Sequence, residues 1–174
     1  MGRRGIHRKR GEMDACQYAV GMFWHVEQRD ACYPLDCWTD IRLLMTDTPG
    51  PGQGEEQMTR DVLEAWLQKM PEHSTALVFS HVQIEDPRVI QSDHSRYGRF
   101  QELIELYTKP GDIVADPFCG SSSFGVTAIQ LGRSYIGTDI QRTQVEASFK
   151  ALTERKVDGT QPNSESRGQA QPGL

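Results

Sequence analysis

Apolar runs alternate with helical patterns along the middle of the chain. Four short apolar runs have the length of buried strands, at 41–45, 76–82, 113–115 and 135–137. Apolar side chains recur at helical spacing in four other segments, at 59–70, 100–107, 125–131 and 143–152. This alternation predicts an α/β fold, with a mostly parallel sheet and helices on both of its faces.

The two ends of the chain differ in composition from this middle part. Residues 1–12 contain five basic residues and no acid before Glu12, although the whole chain carries a net charge of −5. Residues 155–174 are polar and rich in Gly, Pro, Ser and Gln, which predicts a disordered tail. We therefore expect one domain over residues 13–154. The basic arm has two open interpretations, a segment that binds nucleic-acid phosphates and a solvated terminus.

Composition restricts the class of protein. The hydrophobic content of 37% and the charged content of 25% are ordinary for a soluble globular protein. No apolar run approaches the roughly 20 residues that a membrane-spanning helix needs, and no apolar stretch follows the basic start as in a secretory signal. These features predict a cytoplasmic protein with reduced cysteines. The spacing of Cys16, Cys32 and Cys37 is wider than in common zinc sites, so no metal is predicted.

Two acids stand at the ends of successive predicted strands. Asp116 ends the strand at 113–115 and is followed by small residues and a helix, and Asp139 ends the next strand. Ligands of open α/β sheets bind at such strand ends, where small residues admit a ligand and the helix N-terminus favours its negative group. Asp139 has the position of an acid that accepts ribose hydroxyls. The pattern indicates a nucleotide-like ligand; a tight turn without a ligand is the alternative.

Residues 102–147 resemble the cofactor-binding part of DNA N4-cytosine/N6-adenine methyltransferases. The matching residues are Lys109, Pro110, Gly111, Asp112, Asp116, Pro117, Phe118, Gly120, Ser121, Gly132, Arg133, Ile136, Gly137 and Asp139. The resemblance implies a Rossmann-like methyltransferase fold of the permuted order, with the catalytic motif before the cofactor motif. It also implies S-adenosylmethionine as cofactor and DNA as substrate.

The resemblance assigns cofactor contacts by position. The methionine part of S-adenosylmethionine would be surrounded by Asp116, Pro117, Phe118, Cys119, Gly120 and Ser121. Asp139 would hold the ribose, and Gly98 would permit close approach of the backbone. Ser122 stands where the family has glycine, and we expect its Cβ to crowd the cofactor or to move the loop.

The permuted order places the catalytic motif at the end of the strand at 41–45. Asp47, Thr48 and Pro49 occupy the motif's positions, and the Asp47 carboxylate and the Thr48 carbonyl would accept hydrogen bonds from the target amine of a flipped base. Gly50 replaces the motif's aromatic residue, whose stacking on a base contributes about 1–3 kcal/mol. An ordinary turn at 47–50 is the alternative.

Three residues before the helix at 100–107 could contact nucleic acid by charge and stacking, namely Arg96, Tyr97 and Arg99. An exposed polar loop is the alternative interpretation. Only about a dozen residues separate Val82 from this region, which leaves no room for a target-recognition segment and leaves open whether the sheet lacks some strands. A homodimer or a partner chain would then supply target recognition.

Three functional hypotheses follow. The first is a DNA methyltransferase acting on the exocyclic amine of adenine or cytosine. The second is a catalytically weak or inert relative that acts as a DNA- or partner-binding regulator, decoy or subunit, which Gly50 and Ser122 favour. The third is a methyltransferase for a small molecule or a protein. The sequence does not decide between adenine and cytosine.

Overall fold

The computed structural model describes residues 14–19, 22–32, 40–48, 55–80, 82–92 and 99–154. These residues form strands and helices with the bounds β1 Asp14–Ala19, β2 Met22–Gln28, β3 Ile41–Asp47, α1 Glu55–Lys69, β4 Thr75–Phe79, β5 Val89–Ser92, α2 Phe100–Tyr107, β6 Ile113–Asp116, α3 Ser123–Gln130, β7 Ser134–Asp139 and α4 Arg142–Glu154.

The described strands build one sheet of seven strands in the order β1-β2-β7-β6-β3-β4-β5. Six of these strands, β2, β7, β6, β3, β4 and β5, pair in parallel along the sheet. β1 pairs with β2 in the antiparallel direction. The prediction of a mostly parallel, Rossmann-like α/β fold is confirmed. Apolar residues run continuously through the central strands because both faces of the sheet are covered.

Helices cover the two faces unequally. One face packs residues of α2, α3 and α4 against Leu43, Leu77 and Val114 of the sheet. The other face packs α1, with Trp66 at its centre, against Leu44 and residues of three further strands. Trp66 is fully buried, and its indole N–H donates to the Ala31 carbonyl at 2.8 Å, so the strongest polar group on this helix face is satisfied.

The chain order creates a switch point at the centre of the sheet. β3 leads through α1 to β4 on one side, whereas its neighbour β6 leads through α3 to β7 on the other. Because α1 and α3 pack on opposite faces, the carboxyl ends of β3 and β6 form the switch point, which is the place where ligands of this architecture bind.

The sheet also contains strands that the hydrophobic pattern does not indicate. β1 and β2 form a hairpin beside β7, and β5 lies in the short interval after Val82. α1 begins at Glu55 rather than at residue 59, and β4 ends at Phe79 rather than at Val82. The other predicted elements differ from the structure by at most two residues at either end, and α2 has the predicted bounds. Within the described ranges, no helix is both long and apolar enough to cross a membrane.

Candidate active site

The carboxyl ends of the central strands β3 and β6 are joined by a buried hydrogen bond. The Thr46 hydroxyl donates to Oδ1 of Asp116 at 2.9 Å, and both residues are almost completely buried. Asp47, the next residue of β3, is partly exposed. The structure therefore brings the predicted amine-binding acid to the edge of the sheet that carries the predicted cofactor acid.

Asp116 lies in an environment that disfavours its charge. Burial raises the pKa of its carboxyl group to about 7, although the Thr46 hydroxyl and the Phe118 amide N–H, at 3.1 Å, both donate to it. The nearby carboxylates of Asp139 and Asp47 raise the pKa further. A cation bound at this edge of the sheet would be attracted to three carboxyl groups and would favour the ionised form of Asp116.

The loop of residues 117–122, called here the β6–α3 loop, is tied to the end of β7. The Cys119 amide donates to the Thr138 carbonyl at 2.9 Å, and the Thr138 hydroxyl donates to the Pro117 carbonyl at 2.9 Å. Phe118 is partly buried against the core beneath α1, and Ser121 is exposed. The loop therefore has a fixed inner side and an outer side that a ligand can reach.

Cys119 belongs to the inner side of this loop. Its thiol is buried, and burial raises the pKa of that thiol to about 12. The side chain consequently remains a neutral thiol at physiological pH and has no nucleophilic character. Its predicted part in cofactor binding stays a prediction, because the side chain faces Ser148 at 3.6 Å and the amide is already bonded to β7.

Asp139 holds the loop and the beginning of α4 together. Its Oδ2 accepts the Gly120 amide N–H at 3.1 Å, and its Oδ1 accepts the Gln141 amide N–H at 2.8 Å. A carboxylate offers about four lone-pair sites, so these two bonds leave capacity for the two hydroxyls of a ribose. The side chain is partly exposed, which leaves it accessible to a ligand.

Ser122 occupies the left-handed region, at φ 61° and ψ 42°, which costs a residue with a Cβ about 1–2 kcal/mol. The family's glycine avoids this cost. The Ser122 side chain is fully buried and its hydroxyl contacts Ser148 and Tyr135 inside the protein. The side chain therefore faces the inner side of the loop, and the expectation that it crowds the cofactor or moves the loop stays a prediction.

Arg133, one of the residues that match the family, has a structural part. Its buried guanidinium donates to the Thr108 hydroxyl at 2.9 Å, to the Thr108 carbonyl at 2.8 Å and to the Leu131 carbonyl at 2.5 Å. Thr108 and Leu131 are the C-caps of α2 and α3. The cation thus satisfies the partial negative charge at two helix ends and fixes both helices to β7.

Known proteins are similar to this chain in the region just described. A family described as DNA methylase, of the N6/N4 methyltransferase type, matches residues 99–150. Residues 99–150 therefore resemble the corresponding part of the N6/N4 DNA methylases. The type II methyltransferase M2.DpnII of Streptococcus pneumoniae is 40% identical over 52 residues, which are 30% of this chain and 19% of that protein. The type II methyltransferase M.HinfI of Haemophilus influenzae is 41% identical over 55 residues, 32% of this chain and 15% of that protein.

These two type II methyltransferases are much longer than the segment they share with the chain, which spans less than a fifth of their length. Among solved structures, the M1.HpyAVI–SAM complex has a TM-score of 0.57 at 14% identity, covering 74% of this chain and 98% of that chain. At this identity the similarity shows the fold.

The residues predicted from the sequence to be catalytic lie on β3 and just after it. Thr48 is buried, and its amide N–H and its hydroxyl both reach the Phe79 carbonyl, at 3.2 and 3.5 Å. Arg99 is exposed and pairs with Glu102 at 2.6 Å. The remaining predicted residues lie outside the described residues, namely Pro49, Gly50, Arg96, Tyr97 and Gly98.

Sequence reasoning did not single out Thr46, Thr138, Tyr135 and Ser148. Two of them carry a signal in retrospect. Thr46 is a hydroxyl residue within an otherwise apolar strand, and Ser148 lies on the helical face that Val145 and Leu152 define as buried. A polar residue on a buried face needs a partner, and both of these residues bind the acidic strand end or the β6–α3 loop.

Proposed function

We propose that the chain is an S-adenosylmethionine-dependent DNA methyltransferase that methylates the exocyclic amine of adenine (N6) or cytosine (N4). The observation that carries the proposal is the hydrogen bond between Thr46 and Asp116. It joins the strand that ends in Asp47 to the end of β6, which lies in the segment that matches the DNA methylases, at the switch point of the sheet.

The residues at this edge fit the chemical groups of S-adenosylmethionine. The cofactor carries a sulfonium and an ammonium, and Asp116 is a buried carboxyl group beside Asp47 and Asp139. It carries a carboxylate, for which the unpaired backbone N–H groups at the beginning of α3 are suitable donors. It carries a ribose diol, for which Asp139 has free acceptor capacity. When bound, the cofactor supplies an electrophilic methyl group.

Asp47 is assigned to the target amine. Its carboxylate accepts one amino hydrogen of the flipped base, which directs the nitrogen lone pair away from the ring, and it takes the proton that the amine loses on methylation. The Thr48 carbonyl is assigned as the second acceptor, and Pro49 as the residue that fixes the turn. The anchoring of Thr48 to Phe79 supports this assignment because it holds the backbone after Asp47 in one position.

Contacts to DNA are assigned to Arg96, Tyr97 and Arg99 and to the basic arm in residues 1–12. The net charge of −5 makes such a local basic surface necessary for binding a polyanion. A second copy or a partner chain is proposed to contribute target recognition.

A methyl-transfer assay on the full chain tests the proposal. Purified protein is incubated with radiolabelled S-adenosylmethionine and unmethylated DNA, and the DNA is digested to nucleosides and separated. We expect the label in N6-methyladenosine or N4-methylcytidine of the deoxy series. Asp47→Ala is expected to lower the rate by about a hundredfold or more.

Asp40→Ala is the matched control, because Asp40 is an exposed aspartate at the other end of the same strand. Its rate should equal that of the wild type. Cofactor binding without transfer to any DNA would contradict the enzyme and would favour the regulatory relative. Absence of cofactor binding would contradict the proposed function as a whole.

A further inference from the structure

A chain of three buried hydroxyls lies beneath the β6–α3 loop. Ser122 donates to the Ser148 hydroxyl at 2.8 Å, and Ser148 donates to the Gly120 carbonyl at 2.5 Å. The Tyr135 hydroxyl lies 3.2 Å from that of Ser122 and is left as the donor to it. All three side chains are fully buried. Each hydroxyl therefore donates one hydrogen bond, and those of Ser122 and Ser148 also accept one. The chain ends at the Gly120 carbonyl of the loop.

The first member of this chain remains a donor at all physiological pH values. Burial raises the pKa of Tyr135 well above its ordinary value, so the phenol stays protonated. Its ring position is also fixed, since a Cβ at Gly125 would lie 2.4 Å from the ring and a Cβ at Gly137 would lie 2.8 Å from the phenol oxygen. The two glycines thus leave the space that Tyr135 needs to reach Ser122.

The chain of hydroxyls acts on Gly120 together with Asp139. The Gly120 amide donates to Asp139 at 3.1 Å, and its carbonyl accepts from Ser148 at 2.5 Å. Gly120 and Ser122 both have positive φ, at 49° and 61°, so this part of the loop is held in a conformation that is unfavourable for most residues. Its orientation consequently depends on groups from β7 and α4.

We propose that Ser122 and Ser148 are positioning residues for the cofactor, which keep the Gly120 peptide aligned through this chain of hydroxyls. The family's glycine can adopt a positive φ at this position without strain. In this protein the hydrogen bonds of the Ser122 hydroxyl hold the loop in that conformation instead. The proposal rests on the proposed binding of S-adenosylmethionine. It assigns Ser122 and Ser148 to the methionine end of the cofactor, and it leaves the ribose to Asp139.

Calorimetric titration of the full chain with two ligands tests this proposal. S-adenosylmethionine contains the methionine end, and 5′-methylthioadenosine lacks its amino and carboxylate groups. We expect Ser122→Ala and Ser148→Ala each to weaken the binding of S-adenosylmethionine about tenfold, the equivalent of one net hydrogen bond. The affinity for methylthioadenosine should change less than about twofold, because the ribose is assigned to Asp139, which both variants retain.

Two further variants separate positioning from a general loss of structure. Ser122→Gly removes the strain of the positive φ, so it should bind S-adenosylmethionine within about threefold of the wild type and rescue the loss seen in Ser122→Ala. The double variant of Ser122→Ala and Ser148→Ala should lose no more affinity than either single variant, because both break the same chain. All titrations are run below the thermal transition of each variant.

Equal losses for both ligands, or additive losses in the double variant, would overturn the positioning part of Ser122 and Ser148 while leaving the cofactor in place. Unchanged binding in both alanine variants would overturn it as well. A wild type that binds neither ligand would instead overturn the proposed function, and this inference with it.

Discussion

The two halves of the sheet are constrained by different kinds of interaction. In the cofactor half, made of β6, α3, β7 and α4, side chains bind specific backbone groups of the β6–α3 loop. In the acceptor half, made of β3, α1, β4 and β5, the central residues form an apolar layer with Leu44, Trp66 and Val78. The first kind of contact needs a particular residue, whereas the second accepts many apolar residues of similar size.

This difference explains where similarity to known proteins is found. The matching segment, residues 99–150, contains β6, α3, β7 and most of α4, but none of the acceptor half. Gly120, Asp139 and Arg133 each satisfy a backbone conformation or a set of hydrogen bonds that few other residues could satisfy. Apart from Trp66, whose indole N–H donates to the Ala31 carbonyl, the residues of the apolar layer have no such requirement.

Removal of the Asp139 carboxylate should give the largest difference in cofactor affinity between a variant of the cofactor half and a variant of the acceptor half. Asp139→Ala removes the proposed ribose acceptor and the bonds to Gly120 and Gln141, so we expect the affinity for S-adenosylmethionine to fall about a hundredfold. Asp47→Ala should leave that affinity within about threefold, since Asp47 is assigned to the base. Calorimetric titration of both variants checks this. Equal losses of affinity in the two variants would contradict the assignment of cofactor binding to one half and base binding to the other.

Arg133 tests whether the cofactor half is held as a unit. Arg133→Ala leaves the carbonyls of Thr108 and Leu131 without their buried partner, and we expect it to lower the free energy of unfolding by about 2–4 kcal/mol. Arg142→Ala is the control, because Arg142 forms an exposed pair with Glu146 and should change the stability by less than about 0.5 kcal/mol. Urea unfolding followed by circular dichroism measures both. A loss of similar size in both variants would refute the structural part of Arg133.

Asp116 should make cofactor binding dependent on pH. Its pKa is raised to about 7 by burial, and a cationic ligand favours the ionised form, so the affinity for S-adenosylmethionine should rise about fivefold from pH 6 to pH 8. Asp116→Asn should remove this part of the pH dependence and bind more weakly at pH 8. The cofactor's own titration is common to both proteins and cancels in the comparison. A parallel pH profile in the variant would contradict the prediction.

Asp116 should also make the stability of the ligand-free protein depend on pH, with the stability falling as the pH rises. The folded pKa of about 7 lies above the value of about 3.9 in an unfolded chain. The folded state therefore keeps a proton that the unfolded state releases, and the stabilising contribution is full below about pH 4 and is lost as the pH rises to about 7. Asp116→Asn should flatten the stability profile over this window, which urea unfolding at a series of pH values can measure.

Arg99 should have the smallest effect. Arg99→Ala is expected to weaken DNA binding about twofold and to reduce the salt dependence by less than about one phosphate contact, because Glu102 already pairs with this arginine. Arg142→Ala has nearly the same exposure, with side chains at 62% and 64%, and serves as the control. Fluorescence anisotropy at several salt concentrations measures the slopes. Identical slopes in the two variants would remove Arg99 from the DNA surface.

The sequence predicts the cofactor half better than the rest of the fold for a physical reason. The helix at 100–107 has the predicted bounds, and Asp116 and Asp139 stand at strand ends as expected. These positions depend on local features: helical spacing, small residues in a turn and acids after apolar runs. These features predict a nucleotide-like ligand, whereas the resemblance to the DNA methylases rests on the matching residues between Lys109 and Asp139.

The strands β2 and β5 could not be predicted in this way. In β2 the apolar Trp24 and Val26 alternate with polar residues, and the buried Glu27 is tolerated only because His25 and Arg29 bind it. β5 has four residues, two of them polar. Their strand character is imposed by neighbours that are distant in sequence.

The same limit applies to the site. The bond between Thr46 and Asp116 joins residues 70 positions apart, and that between Ser148 and Gly120 joins residues 28 positions apart. Neither pair has a spacing that indicates contact. The acids of the site can be recognised in the sequence, but the hydroxyls that orient them and their loop become apparent only in three dimensions.

The position of β2 beside β7 has a consequence for biosynthesis. Gln28 of β2 donates to the Ile140 carbonyl just beyond β7, across 112 positions of the chain. During translation the β1–β2 hairpin emerges long before its partner strand, and at roughly 5–20 residues per second it waits for at least several seconds. Its unpaired edge is exposed to self-association in that time. Slow folding and a need for chaperones at high expression are therefore expected from the order of the strands alone.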